Sequence, residues 1–415
     1  MIKENNRAQI HGKISLFILY GISFFLPVYG RIVPGLIALL WLNWLIEGSY
    51  FRTFPRLFKE KKRLWLISFS LIYIIYLIGL LWTTDFSYAW FDLEVKLSLL
   101  VLPIIFATSA GRMISPEASG KLIRIFALGC LTGSLILYGH AIWNSLVLKL
   151  PEAFYYSNLS WYFHPAYLAM YMTFVISNVF YHLLIRQTVA GFRKQAAHII
   201  MLIYLLVFII LLSSKAGLLA VLMMIIFYSV ILGWRYRQWG RSALILSVSV
   251  LIFFVGLKVF PYASERVSQA GKDITASDTV NYSGKSTSDR IGVWKAALHI
   301  IRENPFLGVG TGDVKDELMR EYHEQNVIPA YEQRLNAHNQ YLQTFVTLGL
   351  TGFMVLAMIL IVPAISSIRR NDYMYGAFLL IIILNIAFES MFETQAGVVF
   401  YAFFNIIFFS NSESS

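Results

Sequence analysis

Charge is scarce in this chain. Asp, Glu, Lys and Arg make up 14% of its 415 residues, against 58% hydrophobic residues, and the mean hydropathy is +0.63. A soluble domain carries about 25% charged residues, so soluble enzymes, nucleic-acid modules and disordered scaffolds are poor fits. Cysteine is scarcer still. The single Cys130, inside the apolar run 125–148, can neither pair within the chain nor build a zinc cluster, and it carries no information on redox compartment. The formal net charge of +11 reads, in so apolar a chain, as topology rather than as affinity for nucleic acid.

What is present is long apolar runs. Crossing a hydrocarbon core takes about 20 apolar residues in a helix, and twelve segments qualify as candidates: 14–29, 32–47, 64–82, 98–110, 125–148, 166–185, 198–212, 217–234, 242–259, 342–367, 373–388 and 398–410. Some are short, and 14–47 also admits a re-entrant pair. The first run follows Lys3, Arg7 and Lys13, as in a signal peptide. With no A-x-A site after it and a second run following at once, it reads as an uncleaved anchor. The expected fold is an all-α polytopic membrane protein with about twelve transmembrane helices.

Basic residues give the orientation. With the N-terminus inside, the cytoplasmic segments hold twenty Lys and Arg, whereas the short loops opposite hold only Arg31, Lys96, Lys149 and Lys215. This is the bias of the positive-inside rule. Both termini are expected in the cytoplasm, and the basic run 52–63 reads as a topogenic loop. The chain then divides into helices one to nine (1–259), a large external loop (260–341) and helices ten to twelve with the C-terminus (342–415). The loop holds nine Lys/Arg and eleven Asp/Glu. An external segment of that size suggests that the protein works there.

The loop opens with a polar stretch, 268–288. A helix is predicted next, with Asp289 as N-cap and Ile291, Trp294, Leu298 and Ile301 at helical spacing. Arg290 falls in its first turn, where the positive helix end disfavours a cation unless an anion such as pyrophosphate binds there; spacing alone leaves a surface arginine open. Asn304-Pro-Phe-Leu-Gly-Val-Gly-Thr-Gly-Asp313 carries G-x-G-x-G after a helix rather than a strand, so it reads as a tight external turn and not a dinucleotide fingerprint. Residues 314–326 look like a second, charged helix.

The loop ends in Arg334-Leu-Asn-Ala-His-Asn-Gln-Tyr-Leu-Gln343. His338 sits at the membrane boundary among Asn336, Asn339 and Gln343. Boundary histidines are often structural, but histidine exchanges a proton near neutral pH, which makes this one a candidate general base. Lys215, in the short external turn Leu212-Ser-Ser-Lys-Ala-Gly217, either snorkels or offers a fixed positive charge at the head groups. His164, Glu389 and Glu393 lie at external ends of spans, where they either line a site or cap helices. Asp92-Leu-Glu94 superficially resembles a metal-holding acidic pair; the pattern is common by chance, and no metal is expected.

The order Ser-Ser-Lys-Ala-Gly, Ser-Asp-Arg290 with Trp294, Asn-Pro-Phe-Leu-Gly-Val-Gly, Ala-His338-Asn-Gln-Tyr-Leu and Glu-Ser…Glu-Thr-Gln resembles the O-antigen ligase and polymerase superfamily. The resemblance is strongest over about 200–350, and His-Pro-Ala-Tyr at 164–167 looks like its ligase-like variant. It implies a GT-C-like glycosyltransferase of the bacterial inner membrane with a periplasmic active site. It also implies transfer of a glycan from undecaprenyl pyrophosphate, with inversion and without metal or other cofactor, to an acceptor such as lipid A–core. The catalytic histidine maps onto His338, and the phosphate-binding arginines map onto Lys215 and Arg290. Lys215 departs from the usual arginine and loses its bidentate fork. An O-antigen polymerase and a protein O-oligosaccharyltransferase share this donor chemistry. A lipid-linked glycan flippase is the rival of another class; it predicts inverted repeats and ionisable groups at mid-membrane, and neither is evident in the sequence.

Overall fold

The computed structural model describes residues 2–57, 59–109, 114–187, 191–259, 268 and 287–411. Among the described residues there are helices and turns and no strand, as expected where apolar runs must satisfy their own backbone. Eight helices have the length and composition to cross a membrane: Arg7–Val28, Gly30–Glu47, Arg63–Trp82, Pro116–Leu146, Pro165–Ile185, Phe192–Leu212, Lys215–Trp234 and Gln340–Arg369. Four shorter apolar helices are Ser98–Thr108, Trp239–Leu251, Tyr373–Ile386 and Gln395–Asn411. Each of the twelve predicted runs overlaps one of these; among the described residues eight meet the spanning criterion, and the helix that begins at Trp239 runs in full to Val259, 21 residues. The helix Ser98–Thr108 has 11 residues and covers about 17 Å at 1.5 Å per residue, short of a core about 30 Å thick. The first two runs form two separate helices of spanning length. The chain is that of an all-helical polytopic membrane protein.

The chain groups into two compact units. One comprises residues 1–129, 280–375 and 386–415, the other 130–279 and 376–385. In the second, the helix Pro165–Phe180 is buried along almost its whole length. Gly217 allows Lys215–Trp234 to approach it so closely that a Cβ there would meet the Ala169 methyl.

In the first unit, the described part of the loop has its own hydrophobic core. Helices Thr287–Glu303, Val314–Glu324 and Ile328–Glu332 bury Val293, Ala297, Ile300, Leu318, Tyr322 and Ala330 together with Val346 of the following span. The buried stripe of the first of these helices is thus Val293, Ala296, Ala297 and Ile300, and Leu298 is 44% exposed. Small alanines face the tight contact, which displaces the stripe expected from the larger side chains. This helix begins at Thr287, so Asp289 is inside it rather than capping it, and Arg290 remains in the first turn. Most of the predicted polar stretch 268–288 lies outside the described residues. The second predicted helix is observed as Val314–Glu324.

Candidate active site

Three chain segments of the first unit meet at Glu389. Arg290, from the first turn of Thr287–Glu303, donates from Nη2 to Glu389 Oε1 at 2.8 Å. His338 Nδ1 lies 3.3 Å from Glu389 Oε2. The Glu389 carboxylate is nearly buried, whereas Arg290 and His338 are partly open. An ionised carboxylate only accepts, so a bond to it places a hydrogen on Nδ1, and the neutral imidazole then has its lone pair on Nε2. The arrangement presents one cation and one proton-accepting nitrogen, both fixed by the same acid.

The backbone around His338 is held from several sides. His338 has φ +44°, a left-handed conformation uncommon outside glycine. Asn336 Oδ1 accepts from the His338 N–H at 3.0 Å, and Gln343 Oε1 accepts from the Ala337 N–H at 3.0 Å. The Trp294 indole donates to the Ala337 carbonyl at 3.1 Å, linking this junction to the helix that carries Arg290. Asn339 caps Gln340–Arg369 by accepting from the Leu342 N–H at 3.2 Å, and its own N–H donates to Ser390 Oγ at 3.2 Å. Glu389 thus touches both Arg290 and His338, and Asn336 and Asn339 hold the backbone on either side of that histidine.

Glu393 reaches a second, deeper cluster. Gln340 accepts from the Phe392 N–H at 2.6 Å and donates to Glu393 Oε1 at 3.3 Å. Lys96 Nζ is 3.0 Å from Glu393 Oε2, is also bonded to Asp92, and lies 4.6 Å from the centre of the Tyr76 ring. The Lys96 side chain is 0% exposed. Burial pushes the Asp92 carboxyl well above the ordinary carboxylate range; Lys96 opposes that shift and Glu393 adds to it. Burial pulls the Lys96 ammonium down, but Asp92 and Glu393 outweigh it and the net shift is upward. Asp92 points inward while Glu94 is exposed, so these two carboxylates diverge. Sequence reasoning missed Lys96 and Gln340. The i, i+4 spacing of Asp92 and Lys96 was visible, but their partner Glu393 is remote in the chain.

The glycine turn docks onto the end of Arg63–Trp82. Asp313 accepts from the Thr84 and Asp85 N–H groups at 2.9 and 2.7 Å, and Gly312 lies so close to the Asp85 carbonyl that no side chain fits.

The remaining two candidates belong to the second unit. His164 is exposed and precedes Pro165 at the start of Pro165–Phe180. Lys215 opens Lys215–Trp234, whose N-cap Ser214 accepts from the Gly217 N–H at 3.2 Å.

Residues 200–357 match the family model described as O-antigen ligase. That segment belongs to the O-antigen ligase superfamily. It contains Lys215, Arg290 and His338, while Glu389, Glu393, Asp92 and Lys96 lie outside it. An uncharacterized protein of Haemophilus influenzae is 23% identical over 183 residues, which cover 42% of this chain and 46% of that protein. The chain thus spans about half the length of this curated relative.

Proposed function

We propose that the protein is a glycosyltransferase of the O-antigen ligase kind. It moves a glycan from undecaprenyl pyrophosphate to an acceptor hydroxyl, that of lipid A–core in lipopolysaccharide synthesis, at the periplasmic face of the inner membrane. The observation that carries this reading is the Glu389 carboxylate, which joins Arg290 and His338 of the O-antigen ligase segment. The acceptor oxygen attacks the anomeric carbon from the face opposite the pyrophosphate, forming the new C–O bond as the bond to the leaving group breaks. His338 Nε2 takes the acceptor proton, and Glu389 compensates the imidazolium, as an acid does behind a catalytic histidine. Lys215 and Arg290 stabilise the charge that develops on the departing pyrophosphate. A preactivated donor needs no nucleotide, and two fixed cations supply the charge that a metal supplies elsewhere.

Asn336 and Asn339 support this role by fixing the His338 backbone, and Glu393 supports the turn that carries Glu389. His164 remains a proposed lining residue. The excess of cytoplasmic lysine and arginine supports an external loop with both termini inside.

The test is glycan transfer by purified protein in vesicles containing the lipid-linked donor. His338→Ala should lower the rate on the order of 10²–10⁴-fold, and His338→Gln should fail as badly because an amide takes no proton at neutral pH. Arg290→Ala should abolish transfer, whereas Lys215→Arg should be tolerated because the fork restores bidentate contact. Full activity of His338→Gln would overturn the base assignment. Sugar gained by a second lipid-linked glycan, or by a protein, would reassign the acceptor.

A further inference from the structure

The turn 304–310, read from the sequence as a tight external turn, is attached to the following span at Val346, Thr347 and Leu350. The helix Gln340–Arg369 has 30 residues, about 45 Å at 1.5 Å per residue, so part of it projects beyond a hydrocarbon core about 30 Å thick. Counting about 20 residues back from its basic end, Arg369, brings the far hydrocarbon boundary to about Leu350. That is where the turn is attached. The helix is interrupted at Gly349 (φ +62°), and the turn occupies the interruption. Val309 N–H donates to the Val346 carbonyl at 2.9 Å, Gly310 N–H to the Thr347 carbonyl at 3.0 Å, and Leu350 N–H to the Pro305 carbonyl at 2.9 Å. A Cβ on Gly349 would meet the Phe306 backbone, and one on Gly308 would meet that of Thr347. On the other side, Thr311 Oγ1 donates to the Tyr76 carbonyl at 2.6 Å, inside the span Arg63–Trp82.

Irregular backbone is not tolerated in hydrocarbon unless its polar groups are satisfied by protein, and here the span Gln340–Arg369 takes up the Val309 and Gly310 N–H groups and the Pro305 carbonyl. The side chains at the tip point the other way energetically: Phe306 is 69% and Leu307 54% exposed. The same two spans carry exposed apolar residues a few positions along the chain from where the turn is attached, Ile78 and Leu81 on one, Leu350 and Met354 on the other. An apolar surface continuous with lipid-facing helix surface is a membrane contact.

We infer that Asn304–Gly310 is a membrane-dipping turn whose Phe306 and Leu307 insert among the lipid acyl chains of the leaflet on the loop's side. The turn anchors the loop, and with it Arg290, at a fixed height over the bilayer. Two spin-labelled variants test this, Leu307→Cys and Phe306→Cys, in a Cys130→Ala background reconstituted into phosphatidylcholine–phosphatidylglycerol vesicles. Met354→Cys serves as the lipid-facing reference and Glu324→Cys, on an exposed loop position, as the aqueous one. Spin relaxation by oxygen should exceed relaxation by a polar nickel chelate at 306 and 307, with a ratio shifted from that of 324 to that of 354. A ratio matching 324 would overturn the inference. Exclusion of both reagents would also overturn it, since a protein surface or second copy would then cover the tip. Two positions guard against one variant failing to fold. No glycan transfer is read, so the outcome is independent of the proposed reaction.

Discussion

Glu389 holds Arg290 and His338 on opposite oxygens of one carboxylate, at 2.8 and 3.3 Å. Neither neighbour can move without disturbing the other, so the cation that would meet the donor and the nitrogen that would meet the acceptor are set in register by a single side chain.

Glu389→Gln keeps the shape and removes the charge. His338 then loses the charged acceptor that orients its ring and compensates the positive charge it gains in the reaction. The maximal rate should fall on the order of 10²-fold, within the range of acid–base contributions. Glu389→Asp keeps the charge with a shorter reach and should recover part of the rate. A parental rate in Glu389→Gln would show that the charge of the acid plays no part in transfer.

The reach of sequence reasoning follows from how local each feature is. All twelve apolar runs were readable because a span declares itself over about 20 consecutive residues. His338, Arg290 and Glu389 could each be singled out, since a charge or imidazole at a span boundary is conspicuous. Their grouping around one carboxylate could not be read, because it depends on how three distant segments pack. The stripe expected along Ile291–Ile301 was misplaced because Ala296 and Ala297 are weak hydrophobic markers yet pack closest. Lys96 was counted as a loop residue; its burial arises from Asp92, Tyr76 and Glu393 together.

Lys96→Met and Asp92→Asn should behave very differently. Removing the ammonium leaves Glu393 buried beside a second acid with no compensating charge, and breaking such a buried pair costs roughly 3–5 kcal/mol. Asp92→Asn keeps an acceptor oxygen for Lys96 and leaves Glu393 as its counter-ion, so it should cost less. Thermal unfolding in detergent should show a large drop in midpoint for Lys96→Met and a small one for Asp92→Asn. Equal drops would show that Lys96 depends on both acids alike.

Orientation can be read with a membrane-impermeant thiol reagent on intact cells. In the Cys130→Ala background, Glu324→Cys should label from outside and Arg369→Cys only after permeabilisation. The reverse pattern would place the loop in the cytoplasm and remove the periplasmic site.

Gly349 tests how the turn and the tenth predicted span fit together. Its φ of +62° with ψ −157° lies in a region essentially reserved for glycine, where a side chain costs about 1–3 kcal/mol in backbone strain. Gly349→Ala adds a second penalty, because its methyl would enter the Phe306 backbone. Relief by straightening the helix would restore its internal ladder but strip Val309 and Gly310 of the carbonyls they now bond. That is a steep loss at membrane depth, where no water replaces them. The variant should still insert, since the apolar run is unchanged, yet melt earlier than the parent and lose protection from protease at 304–310. Met354→Ala, at an exposed position of the same helix, serves as the control for a generic helix effect. If both variants melt together, or if Gly349→Ala melts like the parent, the turn does not depend on the interruption for its attachment.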